Sequence, residues 1–446
     1  MKNTIIRKIM RQSAQVAVFG LGHIGLPIAT TLSNAGFLVV GVDSNNQVLD
    51  AILGGKANIS ELHLGNMVSQ AIANGHLKVT SSGIVAVKES DIIIICVPTP
   101  IKKDKTPNYL FIENVCKTVS LGLSKGKLVI VESTLPPKAT ENFVAPLLEE
   151  ATGLKCGLDF WLAYCPERIT PGNALTEFIK NDKIVGGYNT ESAEVAAEFF
   201  REFIKGKVLL TDAATAEVAK LAENTFRDIN IAFANELALL CEQNGVDVME
   251  VIKLSNTHPR VKIHTPGPGV GGPCLPKDSY LLLNSSVPAD YNIINAARQI
   301  NDYMAQHIVK LVLQALKAAR KEIKDSRIAV LGTAYKGNVE HATLSPSEPI
   351  IRELMNNGAT IIVYDPLCNE TFGAKKANSL HEAIKGSDCM LVATDHTIFK
   401  NLDLQEVKKL MNDTPIIIDG RRIIDHRSAM SMGITYYGVG FCPNAN

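Results

Sequence analysis

The chain has 446 residues, with 45 basic and 45 acidic side chains and 46% hydrophobic residues. At about 100–200 residues per domain, that length predicts two to four domains with sizeable cores and excludes a disordered chain. A formal charge of zero provides no general basic surface for nucleic acid or an anionic membrane, though it leaves room for a local cationic pocket.

The nine cysteines, Cys96, Cys116, Cys156, Cys165, Cys241, Cys274, Cys368, Cys389 and Cys442, are scattered and form no CxxC pair. This argues against a disulfide scaffold or a zinc ribbon, predicts no metal site, and makes a reducing cytoplasm the default compartment. Lys2, Arg7, Lys8 and Arg11 are followed by no apolar core of the secretory kind. The longest apolar runs have the length of strands, too short to span a bilayer.

In chain order, residues 15–20, 37–43, 91–97 and 128–132 are short Val- and Ile-rich runs separated by helix-compatible sequence. Continuous apolar runs of this length suit parallel strands covered on both faces, built as βαβ units. The first run leads directly into Gly20-Leu21-Gly22-His23-Ile24-Gly25, a GxGxxG pattern that opens an apolar helix. Glycines there permit a tight turn and close approach of backbone to a pyrophosphate, and the helix N-terminus offers free N–H groups. Asp43 ends the second strand about 20 residues on, where a carboxylate would accept from ribose hydroxyls. Ser44, Asn45 and Asn46 follow it, with no arginine to meet a 2′-phosphate, which favours NAD over NADP. A structural Gly-rich turn is the alternative. Thr99 and Thr134 follow the third and fourth strands at the crevice end of such a sheet, and each is otherwise an ordinary loop threonine.

Residues 213–245 read as one long helix ended by Gly245, and residues from Tyr291 to about Ile323 as another. Such a helical middle section is a plausible dimerisation element. On the first helix, Lys220, Asn224 and Arg227, after Glu217, are spaced to share one face. That face suits an anionic, hydroxyl-rich ligand, or it is simply solvated. Residues 266–278 hold four glycines and four prolines around Cys274. They must form a constrained loop, since neither helix nor strand tolerates that composition. If a helix begins near Pro276, Cys274 sits at its N-terminus, where the dipole favours a thiolate; the alternative is one more small buried hydrophobe. Near the C-terminus the strand pattern returns in order, at 327–332, 360–365, 387–393 and 415–419. The expected fold is α/β, with two Rossmann-like doubly wound domains joined by a central helical dimerisation domain; convergent strand composition is the alternative.

The sequences GLGHIGLP, CVPTP, VESTLPP, YCPERITPG, AEVAKLAENTFRDINIAFANEL, HPRVKIHTPGPGVGGPCLPKD and LGTAYKGN resemble the UDP-glucose/GDP-mannose dehydrogenase family over nearly the whole chain. CPERITPG with HPRV looks like the members that act on UDP-N-acetylmannosamine. The resemblance implies an NAD-binding domain at 1–205, a central helical domain with the catalytic loop and dimer interface at 206–320, and a UDP-sugar-binding domain at 321–446. It also implies a two-step, four-electron oxidation of the C6 alcohol of UDP-N-acetyl-D-mannosamine to the uronate. A thiol suits that chemistry, because the aldehyde must be captured before it is oxidised again.

Residue by residue, the resemblance makes Cys274 the nucleophile and Lys220 with Asp278 the pair handling protons and a bound water. Asn224 and Thr134 orient substrate and water, and Glu167 acts in thioester hydrolysis. The cofactor positions are Gly20, Gly22, His23, Ile24, Gly25, Asp43, Thr99 and Thr134. Substrate positions are Arg168, Ile169, Lys220, Asn224, Arg227, His258, Arg260 and Gly271, with Tyr335, Lys336 and Arg421 in the C-terminal domain. The implied partners are a UDP-sugar and a second copy of the chain, with no nucleic acid and no membrane. The family pattern breaks at His341 and Thr343, where members usually carry Asp and Arg, and at His23, often an aromatic residue. UDP-N-acetylglucosamine, UDP-N-acetylgalactosamine and UDP-glucose remain alternative substrates, and a catalytically impaired UDP-sugar-binding relative remains an alternative function.

Overall fold

The computed structural model describes residues 1–56, 61, 63–169, 172–283 and 292–441. Cys442 and Tyr291 lie outside the described residues, as do two positions of the YCPERITPG sequence. By compactness the chain divides into Met1–Glu223 with Tyr280–Ser286, and Asn224–Ser279 with Val287–Asn446.

The first unit is built on eight strands: β1 (Gln15–Phe19), β2 (Leu38–Val42), β3 (Leu77–Thr80), β4 (Ile92–Ile95), β5 (Leu128–Val131), β6 (Trp161–Tyr164), β7 (Lys183–Gly187) and β8 (Val208–Asp212). Their order is β3-β2-β1-β4-β5-β6-β7-β8. All neighbours run parallel except β6 and β7, which are antiparallel. β4 and β5 are buried along their whole length, which explains the unbroken runs of Ile and Val. Cores form on both faces of the sheet, one around Val16, Ile28, Phe37 and Phe199, the other around Phe19, Ile93, Val129 and Tyr164. Because β1 is flanked by β2 and β4, the strand order reverses there and opens a crevice at the carboxyl ends, the position where such sheets bind ligands. The helix Lys2–Met10 precedes β1 and buries Ile5 and Ile9 in the first core.

The second unit carries β9 (Arg327–Leu331), β10 (Thr360–Tyr364), β11 (Lys375–Lys376), β12 (Cys389–Val392), β13 (Ile416–Asp419) and β14 (Thr435–Gly438), in the order β11-β10-β9-β12-β13-β14. This matches the order of the first six strands of the other sheet, so the sequence repeat is also a repeat of topology. Strands β3, β11 and β14 were not evident as apolar runs, since their sequences are LKVT, KK and TYYG rather than unbroken Val and Ile. The helix Ala213–Asn244 starts in the first unit and continues into the second, and Gly245 ends it with a left-handed φ of +68°. The helix Asn292–Ala318 buries Met304, Ile308, Leu311 and Val312 against the second sheet's core. Among the described residues no helix is long and apolar enough to cross a membrane.

The two sheets use the carboxylate after their second strand differently. Asp43 accepts the Leu21 N–H on one oxygen (2.8 Å) and the Asn45 N–H on the other (2.9 Å). Asp365 accepts four backbone N–H groups, from Thr333, Ala334, Leu367 and Cys368, at 2.8–3.0 Å, and the His396 ring at 3.0 Å. His396 Nδ1 accepts the Asn338 N–H, so its Nε2 is the nitrogen that donates to Asp365. Burial opposes ionisation of Asp365, but the His396 bond and the backbone donors outweigh it and hold the carboxyl well below its usual range. A carboxyl whose pKa is depressed in the fold stabilises it above the unfolded value, near 4, and that stability is lost as pH falls. Asp365→Asn should therefore cost about 1–3 kcal/mol at neutral pH. The gap to the parent protein should narrow below about pH 4, as read from denaturant midpoints across pH.

Candidate functional site

At the end of β1, Gly20 adopts a φ of +88°, and a Cβ there would lie 2.6 Å from the Cys96 carbonyl oxygen. A Cβ on Gly25 would sit 1.7 Å from the Gly20 carbonyl oxygen, so helix and turn approach as only glycine allows. Gly22 meets nothing within 4 Å, leaving open space beside the N-terminus of the helix Gly25–Asn34. His23 is exposed and Ile24 half-buried at the same turn. Asp43 spends one backbone bond on each oxygen, and an ionised carboxylate has about four acceptor sites. Lone pairs therefore remain for ribose hydroxyls. The turn, the helix terminus and the carboxylate fit a dinucleotide. Asp365 is saturated by comparison, so the second sheet does not duplicate this cradle.

The neighbouring strand ends are tied to one another. Ser133 Oγ accepts the Val97 N–H (2.9 Å) and donates to the Val97 carbonyl (2.7 Å). This fixes the loops that carry Thr99, which is buried, and Thr134, which is half-buried. Glu167 is 9% exposed and accepts the N–H groups of Arg168 (2.6 Å) and Ile169 (2.9 Å). Arg168 is engaged within the first unit, by a two-point pair with Glu223 and by the Asp182 carbonyl.

Cys274 precedes the helix Leu275–Leu283, and its carbonyl accepts the N–H groups of Lys277 (3.1 Å) and Asp278 (2.9 Å). It is thus the helix N-cap, with Pro276 in the first turn where proline is tolerated. Among the eight described cysteines it is the exposed one; Cys96 is intermediate and the rest are buried. Burial pushes the thiols of Cys116 and Cys156 up to about 12, which makes them poor nucleophiles at neutral pH.

The loop before Cys274 is clamped by backbone contacts. Gly272, at φ +94°, donates its N–H to the Thr343 carbonyl (2.9 Å), and a Cβ on it would meet the Tyr335 ring at 2.7 Å. A Cβ on Gly271 would fall 2.6 Å from the Leu344 carbonyl oxygen. Burial, and then the neighbouring Cys274, raise the pKa of the Tyr335 phenol. Arg421 donates to the Ala393 and Tyr335 carbonyls (3.0 and 3.3 Å), and a Cβ on Gly267 of the same loop would lie 3.2 Å from its Nη1. Lys336 is exposed.

A buried polar network, not anticipated from the sequence, anchors both ends of this loop. The Gly267 N–H donates to Asn235 Oδ1 (2.8 Å), and Asn235 Nδ2 donates to Asn301 Oδ1 (2.9 Å). Asn301 Nδ2 donates in turn to Asp228 (2.8 Å). Asp228 also receives Ser279 Oγ (3.2 Å), just past Cys274, and Arg298 (2.7 Å), which pairs with Asp302 as well. The hint lay in polar residues spaced by seven, Asp228 and Asn235, both fully buried on the long helix.

Asp278, 1% exposed, accepts from Asn224 Nδ2 and Lys277 Nζ, both at 2.6 Å. Lys277 is a cation in contact with it. Lys220 is half-buried one turn before Asn224 on the long helix, and Arg227 is exposed. Glu217 is fully buried and accepts the Thr140 N–H (2.7 Å) and hydroxyl (2.6 Å). A uniformly solvated face is thus ruled out for Glu217 and Asn224. His258 and Arg260 are exposed, with the Arg260 N–H donating to His258 Nδ1 at 3.3 Å. No group of His, Cys, Asp and Glu fit to hold a metal occurs among the described residues.

Residues 14–204 match the NAD binding domain of the UDP-glucose/GDP-mannose dehydrogenase family, residues 214–303 its central domain and residues 329–426 its UDP binding domain. The chain belongs to the UDP-glucose/GDP-mannose dehydrogenase family. A UDP-N-acetyl-D-mannosamine dehydrogenase from Pyrococcus horikoshii is 43% identical over 96% of this chain and 99% of its own. The solved structure of UDP-D-ManNAc dehydrogenase from the same organism matches with a TM-score of 0.91 and 42% identity, over 96% of this chain and 99% of that one. An NDP-N-acetyl-D-galactosaminuronic acid dehydrogenase from Ralstonia solanacearum is 36% identical over 91% of this chain and 95% of its own. Membership makes the chain an NAD-dependent dehydrogenase of UDP-sugars, and its first unit holds the family's NAD-binding turn.

Two outcomes follow from the geometry. Asp43→Ala should weaken NAD binding about tenfold or more, the worth of hydrogen bonds to a charged acceptor, as measured by NAD titration of intrinsic fluorescence. Asn235→Ala should lower stability by about 1–3 kcal/mol and speed amide hydrogen exchange at Gly267 and Gly272, with little change at Gly20.

Proposed function

We propose that the chain oxidises the C6 alcohol of UDP-N-acetyl-D-mannosamine to the carboxylate through a covalent intermediate on Cys274. The observation that carries this reading is an exposed thiol at a helix N-terminus, on a backbone loop clamped on both sides. Bound NAD supplies the hydride acceptor for both oxidations. Cys274 captures the aldehyde as a thiohemiacetal, whose oxidation leaves a thioester. Water then displaces the thiol and frees the uronate.

In this reading Lys220 stabilises oxyanion character at C6. Asp278, held by Asn224 and Lys277, manages protons and a bound water. Asn224 and Thr134 orient the reacting groups, and Glu167 serves as base in thioester hydrolysis. Arg421 and Lys336 offer cations to the diphosphate, and Tyr335 contributes at the same nucleotide position. Arg168, Ile169, Arg227, His258, Arg260 and Gly271 are further substrate positions. Three working parts, at 1–205, 206–320 and 321–446, complete the layout.

The N-acetylmannosamine sugar is supported by the CPERITPG and HPRV sequences and by the name of the 43%-identical relative. UDP-N-acetylgalactosamine is the second reading, favoured by the name of the Ralstonia relative. A homodimer is supported by Phe226, Phe233 and Leu240, 66%, 52% and 49% exposed at seven-residue intervals along the long helix. Side chains at that spacing form a single apolar stripe suited to a partner helix. A reducing cytoplasm suits an enzyme that depends on a thiol.

With UDP-N-acetyl-D-mannosamine, two NADH should form per sugar consumed. The corresponding N-acetylglucosamine, N-acetylgalactosamine and glucose substrates should turn over at least about tenfold more slowly by kcat/KM, a difference of about 1.4 kcal/mol in transition-state binding. Cys274→Ala should release no uronate while still binding UDP; uronate formed at the parent rate would exclude the covalent route.

A further inference from the structure

Three charged side chains meet where β5 and β6 end and β7 begins. β7 runs antiparallel to β6, so its first residue, Lys183, falls opposite the chain just past Tyr164. Lys183 Nζ lies 3.0 Å from Oε2 of Glu132 and 3.4 Å from Oε2 of Glu167, with the Pro166 carbonyl at 3.5 Å. The side chains of Lys183, Glu132 and Glu167 are 6%, 0% and 9% exposed. The rings of Phe178 and Phe200 close over the ammonium at 5.2 and 4.9 Å.

Two carboxylates and one ammonium would leave an uncompensated buried negative charge, an expensive arrangement. One proton makes the cluster neutral, and the donors around it decide where that proton sits. Glu167 Oε1 accepts two backbone N–H groups, and its Oε2 faces the ammonium. Glu132 has the ammonium on Oε2, but its Oε1 is buried with no hydrogen-bond partner. Hydrogen bonds to the charged form favour it, so Glu167 is the ionised member and Glu132 the protonated one. The titration trend agrees: burial pushes the Glu132 carboxyl up to about 8, with Lys183 opposing and Glu167 reinforcing. The other titratable groups facing the cluster, Cys96 and Cys165, are kept as thiols by burial.

We propose that Lys183 and Glu132 are positioning residues for the hydrolytic half of the reaction: Lys183 holds Glu167 as a carboxylate, and Glu132 carries the proton that keeps the buried cluster neutral. This rests on the reading of Glu167 as the base of thioester hydrolysis. In that step Glu167 takes a proton from water as the water oxygen bonds the thioester carbon. The C–S bond breaks, Cys274 leaves as thiolate and is then reprotonated, and a thioester plus water has become a carboxylic acid plus a thiol.

The test uses the full-length protein with NAD and UDP-N-acetyl-D-mannosamine. Lys183→Met should give a burst of two NADH per active site, then a steady state slowed about tenfold to a hundredfold, less than the roughly hundredfold to ten-thousandfold that a positioned base itself contributes. Acid-quenched intact mass should show the acyl group on Cys274. Lys183→Arg should restore most of the rate. Parent-like turnover of Lys183→Met without a burst overturns the proposal.

Glu167→Gln is the control. If it accumulates no acyl-enzyme, the hydrolytic reading of Glu167 fails; if it does and Lys183→Met does not, only the positioning proposal fails. Should Lys183→Met not fold, infrared spectroscopy of the parent protein decides the matter. A protonated-carboxyl stretch is expected at neutral pH, disappearing as pH is raised through about 8 and missing from Glu132→Gln. Its absence from the parent protein, or its survival in Glu132→Gln, overturns the proposal.

Discussion

A thiol presented on irregular backbone has to be held in place by something other than its own segment. The stretch from Pro266 to Pro276 has no ladder of hydrogen bonds to stiffen it, and its glycines and prolines preclude one. The structure meets this constraint with Asp228. This one fully buried carboxylate collects Arg298, Asn301 and Ser279, and through Asn301 and Asn235 it reaches back to Gly267. The loop is thereby anchored on both sides of Cys274. A partly satisfied buried network would be worse than none, whereas a satisfied one fixes a single arrangement. Arg298 supplies the countercharge without which Asp228 would carry a heavy desolvation cost.

The two sheets show how one topology serves two purposes through the fate of a single carboxylate. Asp43 and Asp365 occupy equivalent places after β2 and β10. Asp43 takes only the bonds that shape the glycine turn, leaving acceptor capacity at the crevice. Asp365 is consumed by His396 and by four backbone N–H groups, so it stiffens the second sheet's turn and offers little to a ligand. At the strand ends of the second unit, Arg421 is instead oriented by the Ala393 and Tyr335 carbonyls.

Much of this was legible from residue order. The fully buried parallel strands announced themselves as apolar runs, and the glycine turn, Asp43 and the reactive loop carry local signals strong enough to read without coordinates. What escaped was either too short or too distant. β11 spans two residues, below the length at which a hydrophobic period exists. β6 and β7 are antiparallel neighbours in an otherwise parallel sheet, and nothing in WLAY or KIVGG marks the reversal. The Lys183–Glu132–Glu167 cluster joins residues 51 and 16 positions apart. A charged residue bordering an apolar strand reads as a surface group until a partner is seen. The pairing of Glu217 with Thr140 and of Arg168 with Glu223 is equally invisible in residue order, since the partners lie 77 and 55 positions apart.

The departure at Thr343 can be weighed in these terms. What this position gives the reactive loop is its backbone carbonyl, which accepts the Gly272 N–H, and any residue type provides a carbonyl. His341 likewise contributes its carbonyl, to the Tyr335 N–H at 3.1 Å. The clamp on Cys274 is therefore insensitive to the exchange of Asp and Arg for His and Thr. The exchange acts instead on the cavity of about 700 Å³ that Thr343 and His341 line with Glu340, Glu348, Arg352 and Glu370. Losing an arginine there removes a cation from a surface already rich in carboxylates. The backbone bonds that present the thiol are the same whichever side chains stand at these two positions.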